Sequence, residues 1–400
     1  MDTKLTRING GTVTTPKGFL AGAVEAGIKY RGRLDFGVLF SERPCNAAAV
    51  FTTNKIKSAP VVFDRQQMTK GKVQAIAVNS GCANACTGDK GMKNAAEMAA
   101  LTGRKLAISR NAVLVASTGV IGTQLPMDKI EDAIKRLKLA ASGGHDLARA
   151  MMTTDTFPKE IAVLVETASG RYAIGGVAKG AGMIHPNMAT LLCFITTDAS
   201  VNRALLSSAL KKAVNQSFNM VSVDGDTSPS DTLVVMANSL SGVKVDRENM
   251  PAFQAGLNEV CLHLAKCVAR DGEGATKLVE IIVEGAVSEK EARQAARTIS
   301  TSPLVKTAIH GADPNWGRVI AAVGRSGIRL DEKRIDMFLN GTCVMCGGVP
   351  RDFDKEALSL SMKSKEVNIK VKLNLGVGKA TAWGCDLSKE YVAINADYTT

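Results

Sequence analysis

Lys179-Gly180-Ala181-Gly182-Met183-Ile184-His185-Pro186-Asn187-Met188-Ala189-Thr190-Leu191-Leu192-Cys193-Phe194-Ile195 decides how this chain is read. A glycine-rich, irregular loop runs straight into an apolar run, the pattern of a strand entering a core. At the junction a small residue, Ala189, is followed by a hydroxyl residue, Thr190. Two accounts fit. In one, Thr190 is a β-branched residue that starts a buried strand, and spacing alone favours it. In the other, the chain cuts itself between Ala189 and Thr190 and exposes an N-terminal threonine. Such a residue holds a hydroxyl nucleophile and an amine base together. A mid-chain threonine has nothing to take its proton, whereas a free α-amine, with a pKa of about 8, is partly neutral near pH 7. Gly180, Gly182 and Pro186 allow a strained turn that would present the Ala189 carbonyl to the Thr190 hydroxyl. An N-to-O acyl shift followed by hydrolysis would then free the amine. His185, beside this loop, could tune that turn, though a structural role is the simpler reading; the amine makes a histidine base unnecessary.

Four hundred residues exceed what one compact unit usually holds, so two or more lobes sharing a core are expected. With 45% hydrophobic but only 4% aromatic residues, that core is built from Val, Ile, Leu, Ala and Met. The net charge of +12 is scattered, with bases and acids interleaved, as in Lys129-Ile-Glu-Asp-Ala-Ile-Lys-Arg136. No polybasic block and few aromatics argue against nucleic-acid binding. A mild positive field would instead favour small anionic substrates such as amino-acid carboxylates. The nine cysteines lie mostly in apolar runs and read as free thiols in a reducing compartment. No stretch has the length of a membrane span and the first residues carry no apolar h-region, so a cytoplasmic protein is expected, with no membrane partner.

Strands are predicted at 37–40, 47–52, 73–79, 112–116, 161–166, 191–196, 232–237, 279–283, 367–375 and 391–396. The segment 367–375 alternates cleanly. Helices are predicted at 94–108, 126–140, 202–218, 251–270 and 288–298. The second of these has Pro126 near its first turn, acids early and bases late. Strands and helices both run the whole length, so the class is α/β or mixed α+β, with layered sheets flanked by helices. The most irregular segment is 175–187.

Other segments offer chemistry. Ala112-Val-Leu-Val-Ala-Ser-Thr-Gly-Val120 ends a strand on Ser117-Thr118-Gly119, where glycine lets backbone N–H groups approach a developing oxyanion. Met151-Met-Thr-Thr-Asp-Thr-Phe-Pro-Lys159 crowds hydroxyls around Asp155, the pattern of a cap or turn. Glu273 sits between two glycines before a strand, where it could pair with a substrate ammonium or occupy an exposed hairpin. Cys82 and Cys86 with Cys343 and Cys346 make a weak four-thiolate zinc candidate, without finger context. Gly376-Val-Gly-Lys379 lacks the full spacing of a phosphate loop.

Together, Lys179–Thr190, Asn79-Ser-Gly-Cys-Ala-Asn-Ala-Cys-Thr-Gly88, Asp224-Gly-Asp-Thr227 and Gly311-Ala-Asp-Pro-Asn-Trp-Gly-Arg318 strongly resemble the arginine-biosynthesis glutamate/ornithine N-acetyltransferase family, over essentially the whole chain. The resemblance implies a fold like that of self-cleaving aminopeptidases. It also implies a cut between Ala189 and Thr190, giving an α chain of 1–189 (an N-terminal lobe) and a β chain of 190–400 (a C-terminal lobe), assembled as α2β2. By the same resemblance Thr190 is the nucleophile. Thr118 and Gly119 form the oxyanion hole. Thr156, Lys179, Thr190, Glu273, Asn395 and Thr400 bind substrate, Lys179 facing a carboxylate and Glu273 an amine. The implied reaction is ping-pong transfer of acetyl from N-acetylornithine to glutamate. It needs no cofactor and no metal, and acetyl-CoA enters only as an alternative acetyl donor. An N-terminal-nucleophile amidohydrolase or aminopeptidase is the rival reading. One departure is Ser230, where members more often have Asn before the Asp.

Overall fold

The apolar run after the loop stays buried residue after residue because the strand it forms, Leu192–Thr197, is covered on both faces. Leu192 and Phe194 join one core, with Val177, Val234, Met236 and residues of the helix Gly144–Met151. Cys193 and Ile195 join the opposite core, with Leu233, Val235 and the helices Arg203–Gln216 and Met250–Arg270. The computed structural model describes residues 4–29, 31–185 and 191–397.

Among the described residues, nine strands form a large sheet. Its order is Lys4–Arg7, Lys159–Thr167, Gly170–Lys179, Leu192–Thr197, Thr232–Ala237, Phe36–Phe51, Val73–Cys82, Val113–Val120, with Phe19–Val24 also paired to Phe36–Phe51. Leu192–Thr197 runs antiparallel to Gly170–Lys179 and parallel to Thr232–Ala237. Val73–Cys82 and Val113–Val120 are parallel, joined through the crossover helix Gly88–Leu106. A seven-stranded sheet orders Val221–Ser222, Gly378–Cys385, Leu278–Ala286, Glu366–Lys372, Asp336–Leu339, Thr342–Cys346 and Val349–Pro350. The helix Glu289–Ser300 presents Ala292, Ala295, Ala296 and Ile299 to that sheet. One continuous core joins the two sheets through the helix Met250–Arg270. No helix among the described residues is long and apolar enough to cross a membrane.

The mixed α/β class and the layered sheets stand as expected. Strands from before and after residues 189/190 share the large sheet. Leu192–Thr197 and Thr232–Ala237 lie inside the large sheet, flanked by strands from the first half of the chain. A central strand needs partners on both edges, and here the two halves supply them jointly. The segments 37–40 and 47–52 are one long strand, irregular between Phe40 and Cys45. Residues 175–179, within the segment read as irregular, close the strand Gly170–Lys179. The helix expected to run to residue 140 ends at Arg136. The strand expected at 391–396 is instead the helix Lys389–Asp397. It buries no residue fully, so it has no period-2 face to satisfy, and the helical repeat sets Tyr391 and Asn395 on one side.

Candidate active site

Where the large sheet meets the 271–277 turn and the last helix lies an open cleft with a cavity of about 140 Å3. Thr118 and Gly119 reach it from the end of Val113–Val120, and Lys179 from the end of Gly170–Lys179. Leu191 and Leu192 enter from the start of the neighbouring strand, and Ser228–Asp231 from the turn before Thr232. Glu273 and Asn395 close the far wall.

Local chemistry fixes each of these groups. Gly119 has φ of +125°, and a Cβ there would lie 2.3 Å from the Gly81 carbonyl carbon, so no other residue fits without moving the adjacent strand. Ser117 Oγ donates to Asn79 Oδ1 at 2.6 Å and Asn79 Nδ2 donates to the Cys82 carbonyl at 2.9 Å, which locks the strand ends beside Thr118. Lys179 Nζ lies 2.8 Å from Thr153 Oγ1 and 3.4 Å from Thr118 Oγ1. The Glu273 amide donates to the Ala181 carbonyl at 2.9 Å, and Asn395 Nδ2 donates to Glu273 Oε2 at 2.9 Å. Gly182 lies directly under that carboxylate, where a Cβ would stand 2.4 Å from its atoms.

Beneath the cleft lies a buried ion cluster. Lys159 Nζ donates to Asp155 Oδ1 at 2.6 Å and also to Asp271 Oδ2. Asp155 accepts from the Gly180 amide at 2.7 Å and the Thr153 amide at 3.0 Å, and sits 4.0 Å from Lys179 Nζ. Burial works to raise the Asp155 pKa, but the charges of Lys159 and Lys179 and these hydrogen bonds outweigh it, so the carboxyl lies well below the usual carboxylate range. Burial lowers the Lys179 pKa, with Asp155, Asp231 and Glu273 pulling the other way. Burial pushes the carboxyls of Asp231 and Asp224 up. Asp231 Oδ2 and Ser230 Oγ, both buried in the cleft wall, have no hydrogen-bond partner among the described residues. That is unused bonding capacity at a place where an orphan polar atom is costly.

The structure thus gathers Thr118, Gly119, Lys179, Glu273 and Asn395 around one cleft. Thr156 is absent from its lining; its amide and hydroxyl both donate to Asp271. Ala189, Thr190 and Thr400 lie outside the described residues. The cleft itself is not positive. Lys179 is the single basic residue among its described lining residues, against Asp224, Asp226, Asp231 and Glu273. The mild positive field read from composition therefore belongs to the rest of the surface. The two cysteine pairs sit in different sheets, one at the end of Val73–Cys82 and one in Thr342–Cys346. Among the described residues no group of three or more His, Cys, Asp or Glu could hold a metal ion. Asp155 read only as a turn former; Lys159 and Asp271 went unread. The available signal was a Lys four residues after an Asp where the chain re-enters a strand.

The ArgJ family model matches residues 20–400. The chain belongs to the ArgJ family. The arginine biosynthesis bifunctional protein ArgJ of Dehalococcoides mccartyi is 51% identical over 395 residues, covering 98% of each chain. The protein of the same name from Symbiobacterium thermophilum is 49% identical over 397 residues, covering 98% of this chain and 99% of its own. A crystal structure of ArgJ from Bacillus halodurans matches with a TM-score of 0.50 and 44% identity. It covers 51% of this chain and 98% of its own chain.

Replacing Asp155 with Asn leaves Lys159 and Lys179 short of one buried counter-charge. Breaking such a cluster should cost about 3–5 kcal/mol in denaturant unfolding. Because the Asp155 pKa is depressed by folding, its contribution is complete above the unfolded carboxylate value of about 4 and is lost as pH falls below it. The wild type should therefore lose stability on acidification more steeply than the Asp155→Asn variant in unfolding curves taken below pH 5.

Proposed function

We propose that this chain is the glutamate N-acetyltransferase of arginine biosynthesis, moving acetyl from N-acetyl-L-ornithine to L-glutamate through an ester on Thr190. The observation that carries the reading is the convergence of Thr118, Gly119, Lys179, Glu273 and Asn395 on the one cleft that Leu191, the residue bonded to Thr190, also lines. Membership of the ArgJ family supports it. The Bacillus halodurans ArgJ chain spans about half of this chain, the length expected of one product of a cut near residue 190.

In the first half-reaction the Thr190 α-amine takes the proton of its own hydroxyl, and Oγ adds to the acetyl carbonyl of N-acetylornithine. The oxyanion so formed is received by the Thr118 hydroxyl and the Gly119 amide. Collapse breaks the C–N bond, the α-ammonium returns its proton to the leaving amine, and ornithine departs. Glutamate then enters, its amine attacks the ester, the Thr190 α-amine takes the amine's proton and returns it to Oγ as the C–O bond breaks, and N-acetylglutamate leaves. Lys179 pairs with the α-carboxylate that both amino acids share, and Glu273, steadied by Asn395, takes a substrate ammonium. Water must stay out of the ester's reach, or transfer becomes hydrolysis. Acetyl-CoA with glutamate would load the same threonine, giving the second activity implied by the word bifunctional in the relatives' names.

Intact-mass measurement of the purified protein should show two pieces that meet at Ala189/Thr190, and the Thr190→Ala variant should remain one 400-residue species without transferase activity. Incubating the cut enzyme with N-acetylornithine alone should add one acetyl group to the piece that begins with Thr190. Transfer activity in Thr190→Ala, or release of free acetate in place of N-acetylglutamate, would overturn the proposal; the second result would assign a hydrolase. Replacing Glu273 with Gln removes the charge facing the ammonium. A lost charged hydrogen bond of about 1.5–3 kcal/mol corresponds to a KM for N-acetylornithine raised at least about tenfold in steady-state assays.

A further inference from the structure

The chain entering the loop before residue 186 is gripped on three sides. Asp224 accepts from the Met183 amide at 2.6 Å and the Ile184 amide at 2.9 Å. The Ile184 carbonyl accepts from the Val223 amide at 2.8 Å. The His185 ring bridges two groups, with Nδ1 3.0 Å from Ser222 Oγ and Nε2 2.7 Å from an Arg297 guanidinium nitrogen. A guanidinium can only donate, so Nε2 must offer its lone pair and the ring proton must sit on Nδ1. Nδ1–H then donates to Ser222 Oγ, whose own proton is left to point at the Ile184 carbonyl, 3.5 Å away. The direction of every bond in this relay is set by Arg297. Burial and the Arg297 charge push the His185 pKa down to about 4, so the ring stays neutral at working pH. Arg297 belongs to the helix Glu289–Ser300 and also donates to the Asn219 carbonyl at 2.7 Å, which ties the relay to the second sheet. Beyond the loop, the Leu191 carbonyl accepts from the Thr232 amide at 2.9 Å. The chain is therefore pinned on both sides of Pro186–Thr190. Neither His185 nor Arg297 lines the cleft, and acetyl transfer uses neither.

We propose that the Arg297–His185–Ser222 relay is a positioning device for self-cleavage, holding the upstream end of the segment that carries the Ala189–Thr190 bond. The inference rests on the self-cleavage part of the proposed function. In the cut, Thr190 Oγ adds to the Ala189 carbonyl carbon and the C–N bond breaks. The nitrogen picks up a proton to become the free amine, and water hydrolyses the resulting ester to the Ala189 carboxylate and the Thr190 hydroxyl. Residues that fix where the two reacting atoms meet govern such a step without touching it, and a misplacement of about 1 Å costs up to a hundredfold in rate.

The test follows cleavage of freshly purified protein by intact mass against time, in the wild type and in His185→Leu and His185→Gln. Glutamine can accept from Arg297 and donate to Ser222, so it preserves the relay, whereas leucine cannot. Cleavage should slow at least about tenfold in His185→Leu and stay close to wild type in His185→Gln. Once cut, both variants should match the wild-type kcat for N-acetylornithine, and their thermal midpoints should agree. Equal cleavage rates in a cut wild type and His185→Leu would overturn the relay alone. An uncut wild type would overturn the self-cleavage reading beneath it. Loss of kcat in the cut leucine variant, or a collapse of its thermal midpoint, would assign His185 to transfer or to folding and also overturn the proposal.

Discussion

The buried contact of Lys159 with Asp155 and Asp271 is the constraint on which the site depends. Three segments far apart in sequence meet there: the turn before the strand Lys159–Thr167, the loop that follows Lys179, and the end of the helix Met250–Arg270. One ammonium between two carboxylates ties the three together. The cluster is costly to bury, and each carboxylate also accepts amide hydrogens, from Gly180 and Thr153 on one side and Thr156 on the other. Through Gly180 it sets the loop that carries Gly182, and Gly182 in turn sets the floor under Glu273. Through the turn after Asp271 it sets Glu273 itself. The two charged ends of the cleft, Lys179 and Glu273, are thus referred to one buried origin.

The topology explains how a chain could be cut beside a central strand and remain assembled. Leu192–Thr197 is bonded on one edge to Gly170–Lys179 and on the other to Thr232–Ala237, and its side chains enter two separate cores. Backbone pairing on both edges and burial on both faces hold it without help from the peptide bond before residue 190. The same arrangement makes separation of the two halves equivalent to unfolding the large sheet.

What could be read from the sequence follows from which forces are local. The unbroken apolar run 191–195 declared a buried strand, seen as Leu192–Thr197, and the alternation at 367–375 declared one with a wet face, seen over Glu366–Lys372. Thr118, Gly119, Lys179, Glu273 and Asn395 were named through motifs, and they share one cleft although nothing in their spacing requires it. Three things were not legible. The helix Lys389–Asp397 carries Tyr391, Val392 and Ile394, residues with strand preference, yet it is helical, with Asn395 Nδ2 donating to Glu273 and to the Tyr391 carbonyl one turn back. The Asp155–Lys159–Asp271 cluster joins residues 112 apart, and no local pattern marks a long-range ion pair. The interleaving of the halves is a property of sheet order, on which neither composition nor a cleavage motif bears.

The electrostatics of the cleft run against the charge of the chain. A protein of net charge +12 surrounds its site, among the described residues, with four acids and one base. Left ionised, those acids would repel any anionic amino acid, including glutamate with its two carboxylates. Burial raises the pKa of both Asp224 and Asp231, which moves them toward the neutral form and removes part of that repulsion. Ser230 and Asp231 retain unused hydrogen-bonding atoms on the same wall, so a polar group of either sign could be met there by a donor or an acceptor. A site that must receive first a cationic and then an anionic side chain gains from such groups. In the proposed reaction the two substrates share the α-carboxylate that Lys179 would meet, whereas only N-acetylornithine brings a side-chain ammonium for Glu273.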